Sequence, residues 1–141
     1  MKAYLSRRYH FSASHRLHTE KYNEARNRDV YGKCNNPHGH GHNYAVTVTF
    51  SGQVDPQTGM VCNLGDLDLF ARQRVLEQFD HTNLNTLSLF ENRVSTTENL
   101  SIELYRIFAE FKLAQLEQIH VEETSNNSFD WLGDSSSSRT L

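Results

Sequence analysis

The sequence between residues 39 and 50 reads Gly39-His40-Gly41-His42-Asn43-Tyr44-Ala45-Val46-Thr47-Val48-Thr49-Phe50. From Tyr44 onward, large apolar residues alternate with small or polar ones, which is the period-two pattern of a half-buried β-strand. Side chains two positions apart on a strand point to the same face, so His40 and His42 share the face of Tyr44. This stretch predicts a strand that begins with two histidines.

A second strand is predicted upstream, where residues 9–15 alternate in the same way and end with His15 on the apolar face. Residues 17–37 contain few apolar groups and several turn formers, which indicates a long loop between the two strands. Downstream, the Pro56 and Gly59 region predicts a turn, and a short strand over Met60–Cys62 would close the hairpin.

Two helices are then expected, the first after Asn63 as its N-cap and the second near Ser95, which fits a capping box with Glu98. The first helix has an apolar stripe, with residues three and four positions apart: Leu64, Leu67, Ala71, Val75 and Phe79. The second has the stripe Leu100, Leu104, Ile107, Phe108 and Phe111.

Two further strands follow, one with Ile119, Val121 and Glu123 on one face, and a last one over Phe129–Leu132. The predicted order is therefore ββααββ. That order indicates an α+β fold, in which a four-stranded antiparallel sheet carries two helices on one face.

Composition limits the class of protein. The chain has 141 residues, which suits one domain, expected over residues 1–134; residues 135–141, with four consecutive serines, are expected to be a disordered tail. A net charge of −3 argues against nucleic acid as a partner. No apolar run is long enough to span a membrane, and the N-terminus lacks the apolar stretch of a signal peptide, so we expect a cytoplasmic protein.

The paired histidines are the strongest chemical signal. On one face of a strand, His40 and His42 can converge on one cation, and His15 can supply a third imidazole if the two strands are neighbours. Three nitrogen ligands leave one position of tetrahedral zinc open, as in catalytic zinc sites. His38 and His40 form a competing pair with the same spacing, but Asn43 and Tyr44 lead directly from His42 into the alternating strand.

Three other groups are candidates for acid–base chemistry or recognition. Cys34 lies near Lys33 and the histidines, so beside a divalent cation its thiol is expected to ionise below its usual pKa of ~8.5, although a fourth zinc ligand or a small buried residue would fit the same spacing. The Asp80-His81 pair either orients an imidazole or caps a helix. Glu123 lies on an apolar face, where a carboxylate needs a partner with two N–H donors, from an arginine or from a 2-aminopyrimidinone ring.

Taken together, these residues resemble the 6-pyruvoyl-tetrahydropterin synthase family over nearly the whole chain. The resemblance runs through several short motifs in a fixed order: residues 11–17, 31–44, 55–61, 63–67, 80–81, 94–99 and 123–127. It implies the tunnelling fold, in which the sheets of three subunits join into a barrel. Two such trimers form a hexamer, with active sites at the subunit boundaries.

The resemblance also implies roles for particular residues. The zinc ligands would be His15, His40 and His42. Cys34 would be the thiolate that abstracts a proton, with Asp80 and His81 as its relay partners. Glu123 would anchor the pterin ring, with Thr97 and Glu98 lining the same pocket. The implied reaction is that of a carbon–oxygen lyase, which converts 7,8-dihydroneopterin triphosphate to 6-pyruvoyl-tetrahydropterin and releases triphosphate.

Two alternatives stay open. In the sister branch, 6-carboxy-tetrahydropterin synthase of 7-deazaguanine biosynthesis, three residues usually separate the cysteine from the histidine pair. Here five residues lie between Cys34 and His40, but three lie between Cys34 and His38. The second alternative is a non-catalytic, zinc-stabilised oligomerisation module, which would require no Cys34, no Asp80-His81 pair and no buried Glu123.

Overall fold

Two long antiparallel strands, paired along their whole length, form the centre of the sheet. In the computed structural model, which describes residues 1–134, β1 spans Lys2–His15 and β2 spans His40–Gln53. Their register pairs Lys2 with Gln53 at one end and His15 with His40 at the other. The predicted serine-rich tail, residues 135–141, lies outside the described residues.

The sheet has five strands rather than the four predicted, and it is mixed rather than purely antiparallel. The additional strands are β3 (Thr82–Asn83), β4 (Gln115–Thr124) and β5 (Asn127–Trp131), in the spatial order β3-β1-β2-β4-β5. β3 runs parallel to β1 and pairs only with Ala13 and Ser14. It has two residues, too few to show any hydrophobic alternation, so the sequence pattern could not indicate it.

The helices are α1 (Glu24–Tyr31), α2 (Leu64–Ala71), α3 (Glu77–Phe79) and α4 (Thr97–Phe108). A π-helical turn over Arg72–Leu76 joins α2 to α3, so residues 64–79 form one continuous helical segment. This segment and α4 match the two predicted helices. Within residues 1–134, no helix combines the length and apolar character needed to cross a membrane.

One apolar cluster fills the space between the sheet and these helices. Its large, fully buried side chains come from β2, from both helical segments and from β4: Tyr44, Phe50, Phe79, Phe108, Leu67, Leu100, Leu104 and Ile119. Most of the predicted stripe positions are in the cluster, whereas Leu64 is exposed and Ile107 is only partly buried. The core therefore covers the sheet face on which His15 also lies.

Several local predictions were wrong. The predicted ββααββ order omits α1, which lies inside the expected loop of residues 17–37; its only buried residue is Asn27, so it has no apolar stripe to reveal it. No strand forms over Met60–Cys62. The N-cap of α4 is Thr96, whose side chain accepts a hydrogen bond from the Asn99 amide, and not Ser95.

Gly39 permits the close approach of β1 to the segment that leads into β2. Its φ of +73° is in the left-handed region, and a Cβ there would lie 3.1 Å from the carbonyl oxygen of His15. Gly59 has nearly the same φ, +75°, but a Cβ there would have no atom within 4 Å. The two glycines therefore share a backbone conformation and differ in crowding.

We expect Gly59→Ala to lower the free energy of unfolding by about 1–2 kcal/mol, the cost of a left-handed alanine. Gly39→Ala should cost about 1–3 kcal/mol more, because the added methyl group also presses on the His15 backbone. Urea denaturation of both variants measures the difference. Equal losses of stability would show that the end of β1 is not tightly packed against Gly39.

Candidate active site

Three histidine rings converge where β1 ends and β2 begins. The strand register places His15 directly opposite His40, and His42 lies two residues further along the same face of β2. The Nε2 atoms of His15 and His40 are 3.0 Å apart, and one ligand atom from each ring lies within 4.8 Å of the others. Two nitrogens on one tetrahedral zinc ion would be roughly 3.3 Å apart, so the rings need only small shifts to share a cation.

A hydrogen bond fixes the tautomer of His15. Its Nδ1 lies 2.7 Å from the backbone carbonyl oxygen of Ser95. A carbonyl can only accept, so Nδ1 carries the proton and the lone pair of Nε2 faces the other histidines. Outer-shell bonds of this kind are typical of metal-bound histidines, whose orientation and basicity they set. The Ser95 carbonyl therefore prepares His15 as a ligand.

The protonation states also suit metal binding. Burial lowers the pKa of His15, and the neighbouring His40 and His42 lower it further. Burial is likewise the largest cause of the lowered pKa of His42. Within the described structure, His40 Nδ1 and His42 Nε2 are buried and have no hydrogen-bond partner. Buried imidazole nitrogen atoms that lack a partner fit a divalent cation well.

Neither His38 nor Cys34 belongs to this cluster. Over residues 1–134, the only group of three or more side chains placed to share a metal ion is His15, His40 and His42. His38 is exposed on the loop before β2. The geometry therefore favours the predicted His40/His42 pair over the competing His38/His40 pair.

The carboxylate of Glu123 borders the same space. Its Oε2 lies 4.0 Å from His15 Nε2 and 3.9 Å from His42 Nε2. The Thr97 hydroxyl donates to Oε2, and the Asn127 side-chain amide donates to Oε1 at 3.0 Å. Burial opposes ionisation, but these two hydrogen bonds and the nearby histidines outweigh it, so the pKa of Glu123 is lowered. The site therefore contains a negative charge beside three imidazoles.

The sequence also allowed an arginine as the partner of Glu123. The described structure does not contain that pair. Arg7 forms a bidentate pair with Asp68 on α2, at 3.0 and 2.8 Å. The guanidinium of Arg16 donates instead to Asn35. Neither arginine contacts Glu123 in the described part of the chain, which leaves its charge directed at the histidine cluster.

Cys34 lies in a 3-10 turn, Gly32–Asn35, and is half-buried. Burial raises the pKa of its thiol, and the negative charge of Glu123 raises it further. The expected lowering of this pKa depends on a cation at the histidines and stays a prediction. A divalent cation at the histidines would act in the opposite direction.

Asp80 and His81 lie at the edge of the sheet, beside Ser12 of β1. Asp80 Oδ1 accepts from the Ser12 amide at 2.8 Å, and the His81 amide donates to the Ser12 carbonyl at 2.6 Å. His81 has φ of +57°, which is uncommon for a non-glycine residue, and its side chain is 84% exposed. It lines a groove of about 390 Å³ together with His42. Within residues 1–134, no hydrogen bond or ion pair joins Cys34 to Asp80 or His81.

The remaining predicted residues differ in their surroundings. Thr97 is buried and bonded to Glu123, whereas Glu98 is exposed in the first turn of α4.

Sequence reasoning missed the structural roles of Ser95 and Tyr44. The Tyr44 ring packs edge-on against His42, with centroids 5.5 Å apart, and burial raises its pKa. The sequence could have indicated this contact, because Tyr44 alternates in register with His40 and His42 and therefore lies on the same face of β2.

The fold and site define a class: an α+β protein with three imidazoles placed so that they could share a cation, and with a carboxylate and a thiol nearby. A model of the 6-pyruvoyl tetrahydropterin synthase family matches residues 4–133. The 6-pyruvoyl tetrahydrobiopterin synthase of Homo sapiens is 43% identical over 128 residues, which cover 89% of this chain and 88% of the human protein. That of Poecilia reticulata is 45% identical over 126 residues, covering 88% and 86% of the two chains.

A solved structure agrees with these sequence matches. The structure of Caenorhabditis elegans 6-pyruvoyl tetrahydropterin synthase superposes with a TM-score of 0.90 at 39% identity, covering 95% of this chain and 97% of that one. The chain therefore belongs to the 6-pyruvoyl tetrahydropterin synthase family.

We expect alanine at His15, His40 or His42 to abolish retention of zinc, because a site of three imidazoles cannot lose one ligand and stay tight. His38→Ala is the matched control, since it removes an exposed imidazole from the loop just before β2 and should keep the metal. Metal analysis after dialysis gives the readout. Loss of zinc from His38→Ala, with retention in His42→Ala, would show that the competing histidine pair is the correct one.

Proposed function

We propose that this chain converts 7,8-dihydroneopterin triphosphate to 6-pyruvoyl-tetrahydropterin with release of triphosphate, using zinc held by His15, His40 and His42. The observation that carries the proposal is the convergence of three imidazoles with Glu123 at one end of the sheet. Family membership supports the choice of reaction.

The chemistry follows from the groups around the site. Zinc bound at the histidines would supply positive charge that lowers the pKa of the substrate's side-chain hydroxyls and eases loss of the neighbouring carbon-bound protons. Cys34, once ionised, takes a proton, and His81 with Asp80 returns protons to the product. Electrons from the side chain reduce the N5=C6 bond of the ring, so the reaction needs no nicotinamide.

Recognition of the ring is assigned to the carboxylates of this region. A carboxylate can accept two parallel hydrogen bonds from the N–H edge of a pterin. Glu123 and Glu98 are the two candidates; Thr97 directly precedes Glu98 in sequence, and its hydroxyl donates to Glu123. Glu123 is the expected anchor, although its contact with the histidine cluster also places it near the reacting side chain of the substrate.

We further propose a homo-oligomer, a hexamer of two trimers, in which neighbouring subunits complete each site. Two features support it. His81 is highly exposed, and no hydrogen bond or ion pair joins it to Cys34 of its own chain among the described residues. β1 also has a free edge, because in the described structure β3 pairs only with its last residues. Such an edge is a template for a strand of another subunit.

The direct test of the reaction is a product assay. Zinc-loaded protein is incubated with 7,8-dihydroneopterin triphosphate, and the products are identified by mass spectrometry. Formation of 6-pyruvoyl-tetrahydropterin and triphosphate is expected. Formation of 6-carboxy-tetrahydropterin would place the chain in the sister branch, and absence of turnover would favour a non-catalytic, zinc-stabilised module.

Cys34→Ala and His81→Ala should each lose turnover while keeping zinc, because both groups move protons without binding the metal. If a site combines Cys34 from one subunit with His81 from the next, unfolding and refolding the two variants together should restore activity that neither has alone. Turnover of the mixture and of each separate variant gives the comparison. Failure of mixed oligomers to recover activity would show that both groups act from the same chain.

Glu123→Gln should weaken pterin binding by ~30- to 1,000-fold, because a charge-assisted bond is lost and one ligand donor then faces another donor. Glu98→Gln is the matched variant, with the same chemical change on a neighbouring carboxylate. Calorimetric titration with a pterin measures both affinities. If only Glu98→Gln loses affinity for the pterin, then Glu98 binds the ring. Glu123 would instead lie beside the part of the substrate that faces the metal.

A further inference from the structure

The turn that carries Cys34 is fastened to the chain just beyond β1 by a compact set of hydrogen bonds. The Leu17 amide donates to the Cys34 carbonyl at 2.8 Å. The Asn35 side-chain amide donates to the Leu17 carbonyl at 2.6 Å and lies 3.1 Å from His18 Nδ1. Arg16 Nε donates to the Asn35 carbonyl at 3.0 Å. We call this set the Asn35 clamp.

The clamp connects the two reactive parts of the site through very few bonds. Arg16 directly follows His15 in the chain, and Asn35 directly follows Cys34. Gly32, Lys33 and Asn36 around the thiol are exposed, so the turn has little packing of its own. The position of the thiol relative to the histidine cluster therefore depends on the clamp more than on the core.

We propose that Asn35 and Arg16 are positioning residues, which set the position of the Cys34 thiol relative to the histidine cluster. The consequence for turnover rests on the proposed function, whereas the consequence for the position of the thiol does not. Asn35 is suited to the task because its amide group donates and accepts at once. It is only 4% exposed, so water cannot replace bonds that a substitution removes.

Asn27 provides a matched control on the same connection between β1 and β2. It is also a buried asparagine, at 0% exposure. Its side-chain amide donates to the carbonyls of Thr19, Tyr22 and Asn23, and its Oδ1 accepts from the Thr19 amide. These bonds hold the start of α1 and none of them reaches the Cys34 turn. Asn27→Ala thus removes a comparable buried network without loosening the thiol.

The experiment compares zinc-loaded Asn35→Ala, Arg16→Ala and Asn27→Ala with the unmodified chain. We expect Asn35→Ala to lower kcat by about 100-fold with zinc retained and KM little changed, since a displacement of about 1 Å has an effect of that size. Arg16→Ala should give a smaller loss, because the bond from Asn35 to Leu17 remains. Asn27→Ala should lower the melting temperature and leave kcat nearly unchanged.

A second measurement reads the position of the thiol without any turnover. Alkylation by iodoacetamide is followed at Cys34 and at Cys62, a second half-buried cysteine that serves as an internal reference. In Asn35→Ala the rate at Cys34 relative to Cys62 should rise severalfold, and in Asn27→Ala it should stay at the starting value.

Equal losses of kcat in Asn35→Ala and Asn27→Ala, or an unchanged ratio of alkylation rates in Asn35→Ala, would overturn the positioning role. A changed ratio in a chain that shows no turnover at all would support the clamp and contradict the proposed reaction instead. The two failures are therefore distinguishable.

Discussion

The antiparallel register of β1 and β2 is the constraint on which the candidate site depends. It places His15 opposite His40, and a slip of one residue would move one of these rings to the other face of the sheet. The register is itself fixed by the core, because Phe11 pairs with Tyr44 and their rings stack with centroids 5.2 Å apart. Packing of aromatic side chains thus determines where three imidazoles meet.

Electrostatics then give that meeting point its chemical character. Burial holds His15 and His42 neutral, while the hydrogen bonds from Thr97 and Asn127 keep Glu123 ionised beside them. A negative charge next to uncharged nitrogen donors attracts a cation, and a cation would in turn favour ionisation of the thiol, which burial and Glu123 otherwise oppose. Metal binding and acid–base chemistry are therefore linked through one small region.

The sequence predicted the parts of the molecule that follow a simple period. Alternation revealed β1 and β2 and put His15, His40 and His42 on one face, and the apolar stripes located both long helical segments. The sequence patterns did not reveal α1, which exposes nearly all of its residues, or β3, which is too short to show a pattern. Whether the thiol of Cys34 is buried stayed open for a related reason, since the burial of a side chain in a polar loop is a tertiary property.

The central claim is that three imidazoles hold zinc and that the thiol of Cys34 stays outside the coordination shell. X-ray absorption at the zinc edge of the zinc-loaded protein tests this most directly. We predict nitrogen ligands at about 2.0–2.1 Å and no sulfur in the first shell. A sulfur ligand at about 2.3 Å would mean that Cys34 closes a structural site, and the account of an open, catalytic centre would then be wrong.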